Sequence, residues 1–174
     1  MATSPAHASL IGEIDSAGTG AYHSGDPPDS RTMSTLRRHG IRNYQHAARQ
    51  VTRDDFRTFD YLLAMDKQNL RDLLDLRESV IASAGGAGAG AKRGGAKGRA
   101  VAAAAVDGID AKIAQVRLFG DYGVGGAIHE RVGGGEVVQD PYYGGASGFE
   151  DVYQQAVRFS QNFLDHLRLK EGEN

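Results

Sequence analysis

The chain has 174 residues, 24 of them Gly and 4 Pro, with neither Cys nor Trp, and its 20 basic and 22 acidic residues leave a formal charge of -2. This length suits one ordinary domain, and the near-balanced charge gives no sequence-wide attraction for nucleic acid or an anionic membrane. Without cysteine there can be no disulfide, no thiolate metal site and no cysteine nucleophile.

The N-terminal stretch lacks the basic start and apolar run of a signal peptide, and no apolar run reaches membrane-spanning length, so the sequence reads as a cytoplasmic chain. In chain order, Gly12 to Ala17 (GEIDSA) is the end of a predicted strand, followed by small residues through Gly20 and then Tyr22 and His23. Asp26 is predicted to cap a helix that has Pro27 and Pro28 in its first turn, Met33 and Leu36 facing inward, and Gly40 at its far end. Thr52 and Asp55 form a capping pair that opens a short helix with Phe56 and Phe59. Tyr61 to Met65 is an apolar run short enough for a buried strand. Asp66 caps the helix after it, whose inner face is Leu70, Leu73 and Leu74.

Residues 82–105 contain only Gly, Ala, Ser and Val besides Lys92, Arg93, Lys97 and Arg99. Such a segment has too little apolar bulk to offset the entropy of ordering it, and reads as a flexible insertion. Its four cations leave a charge of -6 on the rest of the chain, whose total is -2. It is not a phosphate cradle: Ala91 separates Gly90 from Lys92, and Arg93 stands where a magnesium-binding Ser or Thr belongs. Beyond it, Ile113 to Phe119 is a further predicted strand, and a Gly-rich loop runs through Gly135. The last helix opens on a capping box, Ser147 to Glu150, and carries Phe149, Val152, Tyr153, Ala156, Val157, Phe163, Leu164 and Leu167 at helical spacing. Short apolar runs alternating with amphipathic helices predict an α/β fold, a small parallel sheet with helices on both faces.

Two loops are candidates for chemistry. Asp140 is fixed before Pro141 and followed by Tyr142 and Tyr143, an acid beside two aromatics ahead of a capped helix. Such a carboxyl could protonate a leaving oxygen beside an aromatic wall, or be an ordinary turn acid with two half-buried tyrosines. The Asp15 to His23 run of small residues is the second pocket edge, and a tight strand-to-helix loop would need the same residues. None of the six His residues pairs with an acid in zinc-helix spacing, so no metal site is predicted. His46, in HAARQVT, reads as a hydrogen-bonded structural histidine.

Taken together, IDSAGT, Tyr22, PPDSR, LRRHGI, HAARQVTRDDFRTFDYLLAMDKQNLRDL, LFGDY and VQDPYYGGASGFEDVYQQAVRFSQNFLDHL resemble the low-molecular-weight protein tyrosine phosphatases over Glu13 to Leu167. The resemblance implies a three-layer fold around a four-stranded parallel sheet. It also implies hydrolysis of protein phosphotyrosine through a cysteinyl-phosphate intermediate on a C-x5-R loop, with no cofactor. By resemblance Asp140 is the general acid and then the base, and Tyr22, Tyr142 and Tyr143 are pocket walls. Ser16, His46 and Asp66 match positions that support the nucleophile loop.

That loop, the interior strand before it and the helix after it are not found in this sequence. The expected organisation is therefore a tail over residues 1–12, a phosphatase-like domain over 13–171 carrying the insertion, and a tail over 172–174. The chain is expected to be inactive as written, an N-terminally incomplete form of the enzyme. The alternative is a pseudophosphatase that binds a partner without catalysis. The related arsenate reductases rank last, because they depend more heavily on cysteine and usually lack the paired tyrosines.

Overall fold

A computed structural model describes residues 9–85, 113–143 and 147–172, with the side chains of Ala84 and Tyr143 outside that set. Its elements are α1 (Ser30–Arg38), α2 (Asp55–Thr58), β1 (Tyr61–Ala64), α3 (Lys67–Gly85), β2 (Gln115–Leu118) and α4 (Gly148–Gly172), with 3-10 turns at Val124–Gly126 and Pro141–Tyr143. Strands β1 and β2 pair in parallel, Tyr61 opposite Gln115 through Ala64 opposite Leu118.

Because side chains alternate across a strand, this register sorts the sheet into two faces. Leu62, Ala64, Val116 and Leu118 share one face, which packs with Leu70, Leu73 and Val80 of α3 and with Phe56 of α2 in one apolar core. On the other face Tyr61 meets Phe163 of α4 edge-on, ring centroids 5.0 Å apart, and Phe119, just past β2, meets Phe159 at 5.5 Å. The result is three layers, α3 and α4 on opposite faces of a small parallel sheet. None of the described helices is long and apolar enough to cross a membrane.

The chain order of elements is as the sequence predicts, with four differences. Residues 12–17 form no strand: only Gly18 pairs, in a single bridge to Gln50, because a strand exists through its ladder and the edge of β1 facing this run is separated from it. Helix α1 is capped by Asp29 rather than Asp26, its carboxylate accepting the Arg31 N–H at 2.7 Å, and both prolines precede the helix. Helix α3 continues through Gly85, four residues into the expected insertion, whose residues 86–105 lie outside the described set, as do 1–8 and 173–174 of the expected tails. Glu150 does not close a capping box. Its carboxylate reaches α1 instead, bonding His39 Nε2 at 2.7 Å and Arg38 at 3.3 Å, while His39 stacks on Tyr153 at 3.9 Å. Gly40 does end α1 with φ +80, a conformation that only glycine adopts without strain.

After β2 the chain is organised by Asp121, 1% exposed. Its carboxylate accepts backbone N–H groups from Leu118 (3.2 Å), Gly133 (2.8 Å) and Gly135 (2.8 Å). Gly126 sits against the α4 backbone, where a Cβ would lie 2.7 Å from the His166 nitrogen, and Asn162 Nδ2 donates to the Tyr122 carbonyl at 2.9 Å.

Replacing Asp121 by Ala leaves three donors without their acceptor and should lower unfolding free energy by about 3 kcal/mol, whereas Asn, retaining one oxygen, should cost about half as much. Denaturant titrations of the two variants measure the difference, and equal losses would assign the cost to charge rather than to the acceptors.

Candidate functional site

The predicted site residues fall into two groups. The first is built on Arg49, which ends the HAAR segment. Its guanidinium donates from Nε to Asp15 at 2.7 Å, and from its two terminal nitrogens to both oxygens of Asp55, at 2.9 and 3.1 Å. Asp55 also accepts the Thr52 N–H at 2.7 Å and its hydroxyl at 3.1 Å. Beside them Ser16 Oγ lies 3.0 Å from His46 Nε2, and His46 Nδ1 lies 3.8 Å from Asp15. Ser16 and His46, 30 positions apart in sequence, are thus in direct contact. Asp66 stands apart: it caps α3, accepting the Asn69 N–H at 2.7 Å.

Opposing charge governs the titration of this group. The hydrogen bond from Arg49 holds the Asp15 carboxyl below its ordinary value of 3.8. Burial pushes Asp55 up, but hydrogen bonds from Arg49 and Thr52 more than offset it, so Asp55 also lies below 3.8. Arg49 is raised in turn, by Asp55 and then Asp15.

A trough of about 600 Å³ opens beside this group. One wall is the irregular run containing Gly12 to Thr19, the other is β1, and α3 and α4 contribute Leu73 and Leu164. No residue of β2 lines it, so it follows the other edge of β1.

The second group surrounds the DPYY turn. Asp140 is exposed and accepts the Tyr142 N–H at 2.9 Å, an arrangement that fixes the acid on the turn it begins. Tyr142 is 57% exposed, and Tyr143 ends the turn. Arg31 of α1 lies over both the Tyr142 ring (4.8 Å) and the Phe149 ring (4.5 Å), and is oriented by Asp29 through bonds of 3.0 and 2.8 Å. Hydrogen bonds from Arg31 bring Asp29 down to about 2. Tyr22 projects from its loop, 95% exposed.

No hydrogen bond or ion pair among the described residues joins Asp140 to Ser16 or His46. Nor do the described residues hold a group of three or more His, Cys, Asp or Glu suited to a metal ion. Sequence reading passed over Arg49, Asp15 as its partner, and Arg31. Only Asp55 carried a local signal, the capping pair with Thr52, since the partners of an arginine come from segments that only folding brings together.

The sequence profile of the family described as low molecular weight phosphotyrosine protein phosphatase matches residues 2–83. The low molecular weight phosphotyrosine protein phosphatase of Schizosaccharomyces pombe is 38% identical over 154 residues, 88% of this chain and 74% of that protein. Its human counterpart is 37% identical over 152 residues, 87% of this chain and 72% of that protein. The crystal structure of YfkJ from Bacillus subtilis is similar with a TM-score of 0.58 at 27% identity, covering 90% of this chain and 73% of that one.

The Arg49 cluster sets a pH dependence. Both carboxyls are depressed in the folded state, so their stabilisation is present above the unfolded value near 3.8 and is lost as pH falls through the lower folded values. Asp55→Asn should therefore cost about 2 kcal/mol at neutral pH, a gap that narrows steadily in acid below pH 3.8. Thermal unfolding of wild type and variant across that range tests this, and a gap that stays constant would remove Arg49–Asp55 charge pairing as its source.

Proposed function

The chain belongs to the low molecular weight phosphotyrosine protein phosphatase family, and on that premise we propose that it carries the acid and scaffold portion of a protein phosphotyrosine hydrolase and, lacking cysteine, does not itself turn over phosphotyrosine. One observation carries this reading: a chain 38% identical to a family phosphatase over 154 residues contains no cysteine.

In the complete reaction a thiolate sulfur bonds to phosphorus while the bond from phosphorus to the tyrosyl oxygen breaks, and the leaving oxygen takes its proton from Asp140. Water then attacks phosphorus, Asp140 receives the water proton, and the sulfur is released. An acid serves this role when it is exposed to substrate and fixed in position. The accessible Asp140 carboxylate, tethered to the Tyr142 N–H, is suited to it. Tyr22, Tyr142 and Tyr143 are the proposed aromatic walls for a phosphotyrosine ring. Ser16, His46 and Asp66 are the proposed supports of a nucleophile loop, Ser16 lining the trough and hydrogen-bonded to His46. The absence of cysteine equally favours a second reading, a pseudophosphatase that binds a partner through the DPYY edge.

The 174-residue chain should hydrolyse neither p-nitrophenyl phosphate nor a phosphotyrosine peptide above buffer, because a positioned acid contributes only about 100- to 10,000-fold and a lost nucleophile removes far more. Turnover that survives repurification and disappears in Asp140→Ala would overturn this.

Fusing a strand, C-x5-R loop and helix typical of the family ahead of Glu13 should create activity together with a sharper cooperative thermal transition. In that fusion Asp140→Asn should slow hydrolysis of a tyrosyl phosphate, whose leaving group has a pKa near 10, by about 100-fold or more, and an activated ester far less. Equal slowing of both substrates would show that Asp140 is structural.

A further inference from the structure

Tyr142 is 57% exposed, and an exposed ring that nothing holds samples several rotamers. In this molecule a guanidinium meets it. Arg31 lies over the Tyr142 ring at 4.8 Å and over the Phe149 ring at 4.5 Å, so one side chain of α1 joins the turn that follows Asp140 to the first turn of α4. The same two segments also meet at Gly148, where a Cβ would lie 3.4 Å from the Pro141 Cβ.

The guanidinium is itself fixed. Asp29 Oδ1 accepts both the Arg31 backbone N–H at 2.7 Å, as the cap of α1, and its Nε at 3.0 Å, while Oδ2 accepts from a terminal nitrogen at 2.8 Å. Helix α1 is nine residues long, and its other end is tied to α4 by Arg38 and His39 on Glu150. A planar fork can donate in its plane to a carboxylate while offering its flat face to aromatic rings, which the point charge of a lysine cannot do. The hydrogen bond to Asp29 raises Arg31 above its ordinary value, and the charges of Tyr142 and Asp140 add to this more weakly.

We propose that Arg31 is a positioning residue for the DPYY turn, setting the orientation of the Tyr142 ring and holding Asp140 on the turn it begins. Its importance for chemistry rests on the reading of Tyr142 as a pocket wall and Asp140 as the acid, whereas the hold on the turn does not. Arg31 acts through Tyr142: the cation holds the ring, the Tyr142 N–H bonds Asp140 at 2.9 Å, and a ring released from the cation lets that hydrogen bond open more often.

The test uses the full chain, with water-exchange NMR at the Tyr142 amide. Arg31→Gln, which loses the charge, and Arg31→Met, which keeps apolar bulk over the rings, should each speed this exchange about fivefold, as expected for two lost cation–π contacts at an exposed site. Arg31→Lys should restore part of the difference, and the amides of Val116 and Leu118 in the core should exchange as in wild type. From the other side of the contact, Tyr142→Leu removes a ring current and should move the Arg31 side-chain resonances downfield while leaving α1 unaltered. Wild-type exchange at Tyr142 in the Met variant, an equal rise at Val116 and Leu118, or Arg31 resonances that stay in place in Tyr142→Leu would each overturn the proposal. Equal slowing of both esters in the fused protein would instead count against Asp140 as the acid, whatever these measurements give.

Discussion

A β-strand has two edges, and the peptide groups on each need partners. β1 satisfies one edge through β2, and the arrangement of the rest of the molecule follows from what happens at the other. On the paired side, the parallel register places Leu62 and Ala64 over α3 and Tyr61 over α4, which closes two apolar layers around four residues of strand. On the other side lies the trough, and the run from Gly12 to Thr19 that forms its far wall pairs only through Gly18, in a single bridge to Gln50. Arg49 holds that run by charge instead: one guanidinium joins Asp15 to Asp55, and so ties an irregular segment to the helix that carries Phe56 into the core. An arginine suits this role because its planar fork serves two carboxylates at once.

The DPYY turn is positioned from a different direction. Asp121 gathers the Gly-rich loop through three backbone donors, Glu136 pairs with Gly120 in an antiparallel bridge, and the Val138 N–H bonds the Met65 carbonyl at the end of β1. Two residues further on is Asp140. From the other flank, Glu150 on the first turn of α4 locks onto His39 and Arg38, which brings Arg31 of α1 over Tyr142 and Phe149. An exposed acid can therefore occupy a defined place, because both chain segments that lead to it are anchored in buried or ion-paired structure. The two groups of site residues depend on different hubs, Arg49 for Ser16 and His46, Asp121 and Glu150 for Asp140.

Local pattern was sufficient wherever a structural requirement was met within a few residues. The apolar spacing of α4 and the compact run of β1 identify themselves, Asp66 caps its helix as its position before a periodic segment implies, and Gly40 ends α1. The motifs from HAARQ to DPYYG establish the family, and the absence of cysteine is plain from the sequence alone. Tertiary structure decided what depended on partners distant in sequence. Residues 12–17, expected to end a strand, have no ladder, Glu150 serves α1 rather than its own helix start, and Arg49, Arg31 and Asp121 find their partners only in the fold. Helix propensity and caps act over one turn of chain, which a sequence displays. Strand pairing and buried charge are satisfied by whatever folding brings alongside, which it does not.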